Sequence, residues 1–200
     1  MIDEIITGTA LKKRYGVHAP AVLGDRLERM PRNKGEWEKF KVKADLPTVE
    51  EFNDLRSAKF TTDVESLIDD AFTEFEDLRD GLQEWFDSMP ENLQSGQKGE
   101  DLQSAIDTLD SIERPDVPEF IGNIATVFIP SEKITSRPDR RDNAVSELQT
   151  AVEMIQDAMD DEESEVKFTD DQKEEMQALI DNIENAYGEA EGVEFPNMFG

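Results

Sequence analysis

The chain has 200 residues, no cysteine and one histidine, with 21 Lys+Arg against 48 Asp+Glu and a formal charge of −27. That inventory excludes a disulfide framework, thiolate chemistry, and any His-based metal cluster or Ser-His-Asp arrangement within one chain. Met-Ile-Asp-Glu lacks the positive start of a secretory leader, and the most apolar stretch, 119–129, is too short to span a bilayer, so a soluble protein is expected.

The charge is unevenly placed. Residues 1–44 hold ten basic and six acidic groups, a net of +4. Residues 45–200 hold 11 basic and 42 acidic groups, a net of −31. A body of that sign repels nucleic acid and anionic lipid within the screening length and attracts basic protein surfaces.

In chain order, residues 1–44 form a basic, irregular N-terminal segment. Ile2, Ile5 and Ile6 suit a short strand or helical turn ended by Gly8. Pro20, Gly24, Pro31 and Gly35 forbid one long helix, although Ala21 to Met30 could form a short one. Lys12, Lys13 and Arg14, together with Trp37 and Lys39, make a candidate basic patch, since aromatics between cations can stack single-stranded bases. The competing expectation, which we favour, is that this segment lies across the acidic body of its own chain.

A helical hairpin is expected over 45–115. Thr48 and Glu51 have the spacing of a capping box, and Val49, Phe52, Leu55 and Phe60 give the first helix an apolar side. A second start at Thr62-Asp63-Val64-Glu65 predicts a break near Thr61. Val64, Ile68, Ala71, Phe75, Leu78, Leu82, Trp85 and Met89 then recur at steps of four and three, the spacing of one helix face. This long helix, roughly 28 residues or about 40 Å, is flanked by Phe72 and Phe86. Gly81 inside it suggests a tight packing contact or a slight bend. Pro90 to Gly99 reads as a polar loop, and Leu102, Ala105, Ile106, Leu109 and Ile112 face back.

Residues 116–137 form an apolar connector. Its core, 119–129, suits a short buried helix or a strand, and at this length periodicity does not arbitrate. A second hairpin and an apolar tail occupy 138–200. Pro138 suits a first helical turn, Val145, Leu148, Val152, Ile155 and Met159 form one stripe, and the acids from Asp160 to Glu163 end the helix against its dipole. Thr169 to Gln172 caps the next helix, striped by Met176, Leu179, Ile180, Ile183 and Tyr187 and ended by Gly188. The expected fold is all-α: two antiparallel, bundle-like helical hairpins behind a less regular basic segment.

One part of the chain resembles a known group. Glu84-Trp85-Phe86-Asp87-Ser88-Met89-Pro90-Glu91-Asn92-Leu93-Gln94, then Gly99-Glu100-Asp101-Leu102-Gln103, is similar to a hairpin in uncharacterised bacteriophage proteins. The shared pattern is Glu-Trp-x-Asp-x-x-Pro-Glu-x-x-Gln, a glycine-bearing turn and Gly-Glu-x-Leu-Gln, over some 40 residues. The resemblance implies a phage origin and a helical hairpin, and no activity.

No glycine-rich phosphate loop or calcium loop fits, and carboxylate pairs are too common here for any one to mark a dyad. No catalytic, cofactor or metal residues are therefore assigned, and a non-enzyme is expected. The leading expectation is an acidic protein of the host-cell cytoplasm that binds a basic host protein, presenting carboxylates as DNA presents phosphates. The candidate partner-binding residues are Asp69, Asp70, Glu74 and Asp77, and Asp160, Asp161, Glu162 and Glu163. A virion or assembly component acting through homo-oligomerisation of the helices and of 119–129 stands second. Nucleic-acid binding through the basic segment stands last.

Overall fold

The computed structural model describes residues 3–5, 8–26, 41–43, 46–129, 136–161 and 167–196. It divides into two compact units, Met1–Thr61 and Thr62–Gly200.

In the first unit, β1 (Asp3–Ile5) pairs antiparallel with β2 (Lys41–Lys43), Glu4 opposite Val42. Helix α1 (Gly8–Tyr15) ends at Gly16, whose φ of 91° places it in the left-handed region that glycine adopts without a Cβ penalty. Its amide closes on the Lys12 carbonyl at 2.8 Å. The short helix expected over Ala21 to Met30 is corrected where it is described: α2 (Ala19–Val22), with Pro20 in its first turn, stops at Leu23, and Gly24–Arg26 follows as a separate 3₁₀ turn, while 27–30 lie outside the described residues.

Helix α3 (Val49–Phe60) carries the expected Thr48–Glu51 capping box. Its apolar side is narrower than the sequence suggests, because Val49 is 56% and Leu55 36% exposed, and only Phe52 is fully buried. Phe52 joins Leu11, Tyr15, Ala19 and Leu23 in a small core of the first unit. The Tyr15 ring lies 4.7 Å from that of Phe52, and its hydroxyl donates to the buried Pro47 carbonyl at 2.8 Å. A tyrosine buried this way keeps its polar end satisfied.

The second unit is helical, built on α4 (Val64–Ser88), α6 (Gln97–Ser111), α8 (Arg137–Asp160) and α9 (Asp170–Glu191). Asp63 caps α4 by accepting from the Ser66 amide at 2.8 Å. The break predicted near Thr61 is β3 (Thr61–Asp63), paired with β4 (Ala125–Val127). Residues 119–129 thus resolve into both readings: α7 (Glu119–Gly122), then β4. Ile121 is fully buried, and Phe120, Ile124 and Phe128 pack on the same core.

Helix α4 packs against both α6 and α8, and α8 against α9. The charged contacts give the directions. Lys98 near the start of α6 lies over Trp85 near the end of α4, while Asp110 reaches Arg79. Arg137 at the start of α8 also lies over Trp85. Lys173 near the start of α9 donates to Met159 near the end of α8, and Arg141 donates to the Val193 carbonyl beyond the end of α9 at 2.8 Å. Both hairpins are antiparallel, as is α4 against α8.

The predicted α4 stripe is buried from Val64 to Leu82, with Leu67 and Phe72 added. Trp85 and Met89 are only partly buried. Each fully buried Leu, Ile or Phe contributes roughly 1.5–3 kcal/mol, and this stripe shares one core with the buried faces of α6, α8 and α9. The polar loop holds one helical turn, α5 (Glu91–Gln94), and α9 runs past Gly188 to Glu191.

Two glycines behave oppositely. At Gly81 nothing lies within 4 Å of an added Cβ, so the packing reason for a glycine there is not met. At Gly99 a Cβ would sit 1.9 Å from the Gln94 carbonyl oxygen. Gly81→Ala should therefore raise stability by up to about 1 kcal/mol, and Gly99→Ala should lower it by about 2 kcal/mol or more. Urea denaturation followed by circular dichroism distinguishes the two directions.

Candidate interaction surface

The surface follows from how few cations the second unit has and where they go. Residues 62–200 hold nine Lys+Arg and 38 Asp+Glu, a net of −29. The arginines described in this unit are engaged at helix junctions. Arg79 of α4 bonds Asp80 and Asp110 of α6. Arg114, just beyond α6, pairs with Asp69 of α4. Arg140 of α8 pairs with Glu74 of α4 and lies 4.0 Å from Asp77. Arg141 bonds Asp142 and the backbone beyond α9, with its guanidinium 5.8 Å from the Phe195 ring. Arg137 stands 5.0 Å and Lys98 5.3 Å from the centre of the Trp85 ring.

Arg137, Arg140 and Arg141 sit in the first turns of α8, where the helix dipole disfavours cations. Their tertiary contacts outweigh a dipole effect worth a few tenths of a kcal/mol at exposed positions. Burial, and then the neighbouring Arg140, lower the pKa of Arg137 from the usual guanidinium value.

With the cations used as cross-links, the outward faces are left to carboxylates. Helix α4 carries nine Asp+Glu and one arginine over 25 residues. Glu65, Asp70, Glu76, Asp77, Asp80, Glu84 and Asp87 are exposed. Helix α9 carries eight Asp+Glu and one lysine over 22 residues. At 1.5 Å per residue these helices are about 37 Å and 33 Å long, with one exposed carboxylate about every 5 Å on α4 and about every 4 Å on α9. A single DNA strand has one phosphate about every 3.4 Å.

The predicted partner-binding residues separate into two places. Asp69, Asp70, Glu74 and Asp77 share one side of α4, but Asp69 and Glu74 are held by arginines, Asp77 is exposed with Arg140 at 4.0 Å, and Asp70 is exposed. Asp160 and Asp161 are exposed at the far end of α8, about 20 Å along the axis from Glu147. Glu162 and Glu163 lie outside the described residues. In the first unit Lys12, Lys13 and Arg14 are exposed on α1, with Arg14 6.0 Å from the Tyr15 ring centre. Trp37 and Lys39 lie outside the described residues.

The residue that sequence reasoning missed is Glu147 of α8. It is 9% exposed and is the one buried charged residue among those described. The Asn143 side-chain amide donates to it at 2.8 Å. Burial pushes its pKa up to about 7; the Asn143 bond opposes that shift, and Asp70 and Glu74 of α4 add to it. Its signal in the sequence is slight: a glutamate between Ala144 and Ala151, one position from the stripe residue Leu148.

Among the described residues no group of three or more His, Asp or Glu is placed to hold a metal ion, and no helix is long and apolar enough to cross a membrane. A polar groove of about 430 Å³ lies between 111–115 and α9, lined by Arg114, Asn182, Asn185 and Glu189 among others. No family model, no curated protein and no solved structure matches the chain.

The two inter-helix arginine pairs should differ in strength. Arg114 and Asp69 are each about half exposed, whereas Arg140 and Glu74 are 32% and 27% exposed. Arg114→Ala should cost no more than about 1 kcal/mol. Arg140→Ala should cost about 1–3 kcal/mol, because it strips a half-buried carboxylate of its partner. Thermal unfolding of both variants at 50 mM salt provides the comparison.

Proposed function

We propose that this chain is a non-enzymatic acidic binding protein that takes a basic protein surface, presenting its carboxylate rows where DNA presents phosphates. The observation that carries the reading is the separation of charge within the second unit. The arginines described there, with Lys98 and Lys173, are held at helix junctions, helix ends or the Trp85 ring; on the outer face of α4 they reach Asp80 and Asp77, and they leave Glu65, Asp70, Glu76, Glu84 and Asp87 without a recorded ion pair among the described residues. A partner whose lysines and arginines are spaced for a phosphate strand meets carboxylates at a similar pitch. The resemblance around 76–112 to bacteriophage hairpins implies a bacterial host and no activity; it is the phosphate-like carboxylate rows that make a DNA-binding protein of that host the partner class, which the bound chain would inhibit.

Homo-oligomerisation through 119–129 finds less support, since that segment packs in its own core.

The test is retention of bacterial host proteins on the immobilised full chain, followed by titration of the captured protein. Affinity should fall at least about a hundredfold between 50 and 200 mM salt. Duplex DNA should compete, and a variant carrying Asp70→Asn, Asp77→Asn and Glu84→Gln should bind more weakly. A flat salt dependence, or binding indifferent to DNA, contradicts the proposal.

A further inference from the structure

Glu147 poses a problem that the acidic surface does not explain. The described part of the chain buries one charged residue, and it places that residue at a seam already rich in acid. From α4, Asp70 and Glu74 act on Glu147. From its own helix, Asn143 donates the hydrogen bond recorded to its carboxylate. The nearest cations in sequence, Arg141 and Arg140, lie about two turns earlier: Arg141 is bonded to Asp142 and to the Val193 carbonyl, and Arg140 to Glu74, with Asp77 at 4.0 Å. The residues α9 buries in the shared core, Met176, Leu179, Ile180, Ile183, Ala186 and Ala190, are apolar. Next to Glu147 on α8 are Ala144, Leu148 and Ala151, all fully buried. An ionised carboxylate here has lost most of its water, has no ion pair among the described residues and is opposed by two further acids.

We propose that the seam between α4 and α8 is a proton-operated joint, closed when Glu147 is neutral and loosened when it ionises beside Asp70 and Glu74. The neutral acid keeps the Asn143 bond through its carbonyl oxygen and brings no charge to the pair across the seam. Ionisation adds a third negative charge, and the relief available is for Glu147 to turn outward or for α8 to draw away from α4.

The direction of the pH effect follows. A carboxyl group ordinarily titrates near 4.5, and in the folded seam this one is pushed up to about 7. The folded protein therefore holds a proton that the unfolded chain has lost between those values. Stability from this group is fully present below about pH 4.5, falls as pH rises, and is gone above about 7. The chain has no cysteine and a single histidine, His18, in the first unit, so few other side chains change charge in the upper part of this window.

The experiment is denaturant unfolding of the full chain from pH 5 to pH 8, for the wild type, Glu147→Gln and His18→Gln. It is paired with a carbon NMR titration of the wild-type glutamate carboxyls. For the wild type and the His18 variant, the folded-to-unfolded ratio should fall on the order of a hundredfold across the range. Glu147→Gln should stay nearly flat, matching the wild type at pH 5 and exceeding it at pH 8. The Glu147 carboxyl resonance should titrate near 7, well above 4.5. A Glu147→Gln profile parallel to the wild type, or a Glu147 resonance that titrates near 4.5, overturns the proposal. The resonance needs no variant, so a Glu147→Gln chain that failed to fold would leave that test standing.

Discussion

The second unit depends on one apolar strip. Val64, Leu67, Ile68, Ala71, Phe75, Leu78 and Leu82 are all buried on α4, and α4 is the helix that both α6 and α8 pack against. Burial of these side chains has to outweigh the ordering of the backbone and the mutual repulsion of a unit carrying a net charge of −29. The repulsion is moderated by position: the carboxylates of α4 and α9 point to solvent, where water and salt screen them. The arginines stand at the junctions, where one cation meets acids from two helices.

That arrangement ties the composition to the charge pattern of the surface. An acidic protein with evenly scattered lysines would present a mixed surface to a partner. Here Arg79, Arg114, Arg140 and Arg141 each tie two elements together. Arg137 and Lys98 gather on Trp85, so the partly buried end of the α4 stripe is covered by cations rather than by further apolar side chains. Seven exposed carboxylates remain along the roughly 37 Å of α4 and eight along the roughly 33 Å of α9, a somewhat wider spacing than that of the phosphates on a nucleic-acid strand.

Much of this was legible in the residues. The steps of four and three from Val64 to Leu82 determine which face of α4 is buried. Thr48 with Glu51, and Thr169 with Gln172, announce two helix starts through capping boxes that form as spaced. Other features were not readable because they depend on neighbours distant in sequence. Val49 and Leu55 have the apolar character of a core face, but among the described residues the small cluster of Leu11, Tyr15, Ala19 and Leu23, with Val22 and Leu46 beside it, takes Phe52 and leaves Val49 and Leu55 exposed. Gly188 lies within α9, its position open to solvent, so it does not end the helix. Of the acidic residues singled out, Asp69 and Glu74 belong to internal pairs whose arginines lie 45 and 66 positions away. Glu147 looks like any solvent-facing glutamate until α4 is laid across it.

Amide hydrogen exchange on the full chain tests the central claim most directly. If the α4 strip organises the second unit, amides of 67–82 and of 144–155 on the facing helix should exchange slowest, opening together near the global unfolding limit. The contrary result is rapid exchange along α4, with protection no greater than in 8–26, which would mean that its apolar face is not closed by α6 and α8.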